Sequence, residues 1–290
     1  MKRLVWVVML CGLGVGAAAP PPAPLDVLEQ KLQSAVAAQN TSQVLTLAAQ
    51  TNALAQKVIA TPAPYAWNLK PAWQTAVAHA QAVALYTEEA LATSAVSAPP
   101  AAAVLLFAAL VKENPKSTYL QAGYDQYLAA LQSVGAQAQV PVVALLAVSN
   151  FPSDKTALLV LMEDAYTHKR SAQALAYAKQ FLALANPLPA DRASASWIAG
   201  VVQAQQARYA EADTNLRVAL PLVESDLLRY ATALFYLGAA DFSLGRTSGR
   251  KDLVSQGIAF STQASTLLSP YPVRAWNNSQ RMQQEASRLP

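Results

Sequence analysis

From Leu25 onward, apolar residues recur at three- and four-residue steps, in stretches of about 12 to 20 residues. That spacing puts them on one face of an α-helix and predicts a succession of amphipathic helices. Short breakers separate the stretches: Asn40-Thr41-Ser42, Thr61 to Lys70, Ala98-Pro99-Pro100, Asn114 to Ser117, Gly135, Phe151 to Asp154, Asn186 to Asp191, and Ser269 to Pro272. No stretch alternates apolar and polar residues as a half-buried strand does. Many helices joined by short connections predict antiparallel neighbours.

The breakers are themselves periodic. Pro115, Pro152 and Pro187 are 37 and 35 residues apart. Within one period, Ser194 to Leu220 reads SASWIAGVVQAQQARYAEADTNLRVAL. Gly200 sits where two helices must approach closely, and Tyr209 follows a turn. Ala212, Leu216 and Ala219 then give a small, large, small sequence on the next helix. Close helix packing needs small side chains at the crossing point. The same slots can be laid on Ala103, Phe107 and Leu110, on Val140, Ala144 and Ala147, and on Ala174, Ala178 and Phe181. Leu237-Gly238 and Gly245 restart the pattern, with the following helix near Gly257 to Ala264 delayed by an insertion of about seven residues.

These slots resemble those of the tetratricopeptide repeat family. The resemblance implies an all-α fold, a solenoid of antiparallel helix hairpins wound as a right-handed superhelix. Repeats would cover 84–271, read as 84–117, 121–154, 155–188, 193–226 and 231–271. Residues 25–83 read as helical hairpins without the diagnostic slots. Residues 273–288, rich in Gln, Asn and Arg, read as the polar end cap that solenoids need.

The first 24 residues have a different character. Lys2 and Arg3 precede an apolar run from Leu4 to Gly16, followed by Ala17-Ala18-Ala19. That is the layout of a secretory signal peptide over 1–19, with 20–24 as a Pro-rich linker. The run is shorter than the roughly 18–20 residues of a membrane span. The expectation is an exported protein, periplasmic or secreted. Cys11 is the sole cysteine of the 290 residues. Bulky Leu10 before it argues against a lipid-modified cysteine. Signal removal would leave no thiol, and with it no disulfide and no thiolate chemistry.

Signal removal also changes the charge. The chain carries 21 basic and 17 acidic residues, a net charge of +4; without Lys2 and Arg3 it is 19 against 17, or +2. No basic stripe for nucleic acid results. Alanine makes up about a fifth of the sequence, which favours tightly packed helix.

Candidate chemistry is sparse. Neither histidine, His79 or His168, has a histidine or cysteine three or four residues away, so no metal ligand pair is legible. Glu88-Glu89 and Glu163-Asp164 are adjacent carboxylates, which point about 100° apart on a helix rather than converging on one bond. Ser248-Gly249-Arg250-Lys251 matches an S-x-x-K spacing but lacks K-T-G, and reads as an exposed loop. No phosphate-cradling glycine loop is present. Tyr65, Trp67 and Trp73 form an aromatic cluster in a Pro-rich segment, read as cover for the N-terminal hairpins.

The sequence therefore points to a non-enzyme without cofactor or metal, acting as a protein–protein interaction scaffold. In the tetratricopeptide family, ligands lie along the inner face of the first helix of each repeat. Carried over by position, that face comprises Asp125, Glu163, Tyr166, Trp197, Val201, Gln205, Phe235 and Phe242. The set is aromatic and weakly acidic, and it lacks a basic clamp for a C-terminal carboxylate. Its aromatic members serve equally well as core between repeats. The expected partner is a protein or peptide of the bacterial cell envelope. A cell-wall or sugar-handling enzyme and a small-ligand receptor with an aromatic pocket are the alternatives.

Overall fold

A computed structural model describes residues 24–267 and 272–288. The signal layout, Cys11 and most of the linker lie outside the described residues. So do residues 268–271, which include all of the last predicted breaker but Pro272.

Every regular element among the described residues is helical. Thirteen α-helices follow one another: α1 (Pro24–Ala37), α2 (Thr41–Ile59), α3 (Lys70–Ser97), α4 (Pro100–Glu113), α5 (Thr118–Ser133), α6 (Val140–Asn150), α7 (Lys155–Thr167), α8 (Ser171–Leu182), α9 (Pro189–Gln205), α10 (Tyr209–Ala219), α11 (Leu227–Ser248), α12 (Lys251–Thr266) and α13 (Pro272–Ala286). Two short 3-10 turns, Trp67–Leu69 and Leu220–Leu222, complete the set. Local chemistry fixes the starts. The side chains of Asn40, Ser117, Asp154 and Asp226 accept hydrogen bonds from backbone N–H groups of the first turns of α2, α5, α7 and α11. Prolines open α4, α6 and α9, where a missing N–H costs nothing.

The chain divides into two compact units, 1–90 and 91–290, with the division inside α3. In the first unit α1 packs on α2. Its core gathers Leu25, Ala55, Ala80, Val83 and Ala84. Residues 61–70 do not cover that core. Tyr65 and Trp67 stand 105% and 83% exposed, so the expected aromatic cover is not formed. Trp73 alone is tethered, its indole N–H donating to the Thr61 carbonyl at 3.0 Å.

In the second unit each helix from α4 to α13 packs on the next in sequence. In addition α5 packs on α7, α7 on α9, α9 on α11 and α11 on α13. Among the described residues, the even-numbered helices make no such contact with one another. An extensive core lies around α7 to α11, and it includes Leu158, Met162, Phe181, Trp197, Ile198, Val202, Leu216 and Leu237.

One local signature recurs at five hairpins. A residue of positive φ closes the first helix: Gln39, Gly135, Lys169, Ala207 and Gly249. Five residues on, Val44, Val140, Ala174, Ala212 and Val254 are buried. Nine on, Ala48, Ala144, Ala178 and Leu216 are buried, while Ile258 is half-buried. Twelve on, Thr51, Ala147, Phe181, Ala219 and Ser261 are buried. The expected register over 140–219 thus coincides with the buried face of α6, α8 and α10. It also runs through α2, where the sequence pattern showed no diagnostic slots.

The insertion expected before Gly257 is absorbed by helix rather than loop. α11 runs for 22 residues, Gly249 closes it in the left-handed region, and α12 begins at Lys251. Ser248 therefore ends a helix, and its hydroxyl donates to the Leu244 carbonyl at 2.5 Å. The smallest residues mark the tightest contacts. A Cβ on Gly200 would lie 2.6 Å from Leu216 Cγ, and one on Gly257 2.6 Å from the Phe242 backbone nitrogen.

Two measurements test this packing. Gly200→Leu is expected to destabilise by about 3 kcal/mol or more, since overpacking must push Leu216 and its backbone aside. In a double-mutant cycle, Gly200→Ala should cost less when Leu216 is already alanine, and simple additivity in urea unfolding would contradict the contact. Ala207 adopts φ 58°, a conformation that penalises any Cβ. Ala207→Gly is expected to raise stability by about 0.5–1 kcal/mol, and a fall in the thermal midpoint would contradict that reading.

Candidate functional site

The odd-numbered helices α7, α9 and α11 bring a group of polar and aromatic side chains together. Trp197, on α9, lies at the centre. It is 5% exposed and belongs to the core. Its indole N–H donates to the Arg229 carbonyl at 2.8 Å, which ties α9 to the start of α11. Tyr166, from α7, meets its ring edge-on at 5.2 Å between centroids. The Arg229 guanidinium lies over its face at 5.4 Å. Such a cation–π contact contributes about 0.5–1 kcal/mol when partly exposed.

Arg229 is the hub. Nη2 donates to Glu163 at 3.1 Å and Nη1 to the Ser194 hydroxyl at 3.1 Å. Nε lies 3.5 Å from the Asp226 carboxylate, which also caps α11. One side chain thus spans three helices, with its charge balanced by two carboxylates. Nothing in the periodicity pointed to Arg229, because the register specifies small and large slots but not the polar residues between them.

A second joint lies further along α9. Gln205 donates from Nε2 to the Tyr236 hydroxyl at 3.0 Å, and Phe235 meets the Tyr236 ring edge-on at 5.1 Å. The eight expected face residues therefore divide. Glu163, Tyr166 and Trp197 come together around Arg229. Gln205 and Phe235 meet at Tyr236. Val201, at 0% exposure, and Phe242, packed with Val254 and Met282, are core. Asp125 lies apart, on exposed α5 surface beside Asp154 and Lys155. Of the set, Asp125, Glu163 and Gln205 are exposed, and Tyr166 and Phe235 are half-buried.

The adjacent carboxylates diverge. Glu163 turns to Arg229, while Asp164 is held by Arg170 and by His168 Nδ1 at 3.1 Å.

Further along α11 lies a partly buried ionic cluster. Arg217, on α10, donates to Asp213 at 2.5 Å, to Asp241 at 2.7 Å and to Gln256 at 3.0 Å. Asp241 is wholly buried, and its Oδ1 has no donor. Its carboxyl is pushed up to about 6, by burial first and then by hydrogen bonding with the Asp213 carboxylate, against the pull of Arg217. A protonated Asp241 can donate to Asp213, which is the interaction that two ionised carboxylates cannot make.

Among the described residues, no helix is long and apolar enough to cross a membrane. No protein-family model and no curated protein sequence matches the chain.

Two outcomes follow from this geometry. Trp197→Ala is expected to lower stability by about 3–5 kcal/mol, as for other large buried aromatics, whereas Glu163→Gln changes it by less than about 1 kcal/mol. Comparable losses in denaturant unfolding would mean that Trp197 is not core. The second concerns pH. Unfolded Asp241 releases its proton near the ordinary 3.8 and the native carboxyl near about 6, so between those values the folded chain holds the extra proton. Stability from this group is full below that window and is lost as pH rises through it. Asp241→Asn should therefore gain on the parent protein as pH rises through the window, and parallel curves for the two would refute the assignment.

Proposed function

We propose that the chain is a non-catalytic protein-interaction scaffold of the bacterial cell envelope, an exported α-solenoid of tetratricopeptide type. Its odd-numbered helices would offer an extended surface to a protein or peptide partner. One observation carries this reading. The odd-numbered helices of the second unit contact one another in series; α7, α9 and α11 share the joint at Arg229, and α9 and α11 that at Tyr236. Stacked hairpins whose first helices line up in this way build a continuous ligand surface.

The division of the face residues suits two roles. Trp197, Val201 and Phe242 give the surface its rigidity. Glu163, Tyr166, Gln205, Phe235 and Tyr236 supply groups that a partner can touch, with Asp125 further along. A face of this composition, aromatic with surplus acid, suits a partner segment carrying apolar and basic side chains. Export rests on the layout of residues 1–19.

Photocrosslinking tests this without disturbing the core. A benzophenone amino acid at Glu163 or Gln205 is expected to trap the same partner from the native envelope. The same probe at Ala176 on α8 or Ser255 on α12, both exposed, is expected to trap none. Adducts confined to the even-numbered helices, or no adduct from any position, would overturn the proposal.

A further inference from the structure

The first unit, 1–90, holds a group of side chains that the scaffold reading does not use. Asp26 and Glu29 lie on α1, three residues apart and hence on one face. His79, on α3, reaches that face from across the unit. One ligand atom from each of the three lies within 4.8 Å of the others. His79 Nε2 and Asp26 Oδ1 are 2.8 Å apart. A tether between residues 53 positions apart in sequence is what joins α1 to α3 at this level.

We infer that Asp26, Glu29 and His79 form a binding site for a divalent transition-metal ion of the zinc type, bridging α1 and α3. Three protein donors, one imidazole nitrogen and two carboxylate oxygens, leave a fourth tetrahedral position for water. Zinc bonds of about 2.0–2.2 Å set donors about 3.3–3.5 Å apart in a tetrahedron. The His79–Asp26 pair must therefore open by about half an ångström to admit the ion. Both side chains have that freedom, being 45% and 40% exposed. Glu29 accepts from Gln33 Nε2 at Oε1, 3.2 Å, and its carboxylate keeps lone pairs for an ion.

The surrounding charge favours a cation. The phenol of Tyr86, two helical turns beyond His79, is raised by burial and then by the negative charges of Glu29 and Glu89. The imidazole selects against magnesium and calcium, which take all-oxygen shells, and in favour of zinc, nickel or copper. The other histidine differs in the respect that matters. His168 also meets a carboxylate, Asp164, but the guanidinium of Arg170 already contacts that same carboxylate. A second cation has no place there.

The test is calorimetric titration of the purified chain with zinc chloride near neutral pH, in a buffer that does not bind metal. The inference requires one ion per chain, with affinity at least about tenfold weaker in His79→Ala and in Glu29→Gln, and unchanged in His168→Ala. It also requires zinc to raise the thermal midpoint of the parent protein but not of His79→Ala. Retained helical circular dichroism in Glu29→Gln guards against loss through misfolding. Absence of binding, or binding indifferent to both His79→Ala and Glu29→Gln, overturns the inference. So does binding that His168→Ala abolishes. None of these outcomes bears on the crosslinking result, because the site lies in a different unit from α7–α11.

Discussion

The second unit depends on how closely its helices approach. Where α9 meets α10, and where α11 meets α12, the distance is set by the absence of a side chain at Gly200, Gly238 and Gly257. The energy comes from the neighbours that fill the space, such as Leu216 over Gly200 and Val254 beside Gly245. Dispersion falls off steeply with separation, so fractions of an ångström at these points decide how much of each helix face is in contact. The alanine-rich composition has its physical meaning here. Small side chains lose little rotamer entropy and let backbones meet, which replaces bulk with proximity.

That constraint also explains what could be read in the sequence. Ala212, Leu216 and Ala219 were legible because close packing dictates size at fixed spacing, and all three are buried. The equivalent face of α2 was missed because Thr51 stands in its last slot, a polar residue that is nonetheless fully buried. The connection at Ser248–Lys251 was read as a loop because Gly249 falls within an insertion that breaks the repeat spacing. The structure continues α11 through Ser248, and the two residues Gly249 and Arg250 turn the chain into α12.

The candidate face was less legible, for a different reason. Size recurs with the repeat; polar pairing does not. Arg229 draws Glu163, Ser194, Asp226 and Trp197 together from separations of 3 to 66 residues. Such a joint appears only after folding has brought its members together. The same holds for Arg217 between two carboxylates and for His79 against Asp26. Trp197 and Phe242 were assigned to the expected face by position, and both are buried; position does not distinguish a ring lying on a surface from one beneath it.

α9 has one property that reaches beyond its own contacts. From Ala195 to Ala204 every residue is buried, so this helix has no solvent face over ten consecutive positions. Helices α7, α8, α10 and α11 all pack on it. Fraying can begin at either end of the second unit and remove one helix at a time, but it stops where the next loss would bare α9 all round. The linear order of contacts therefore yields a centre after all: a keystone whose amides should be the last in the unit to exchange with solvent.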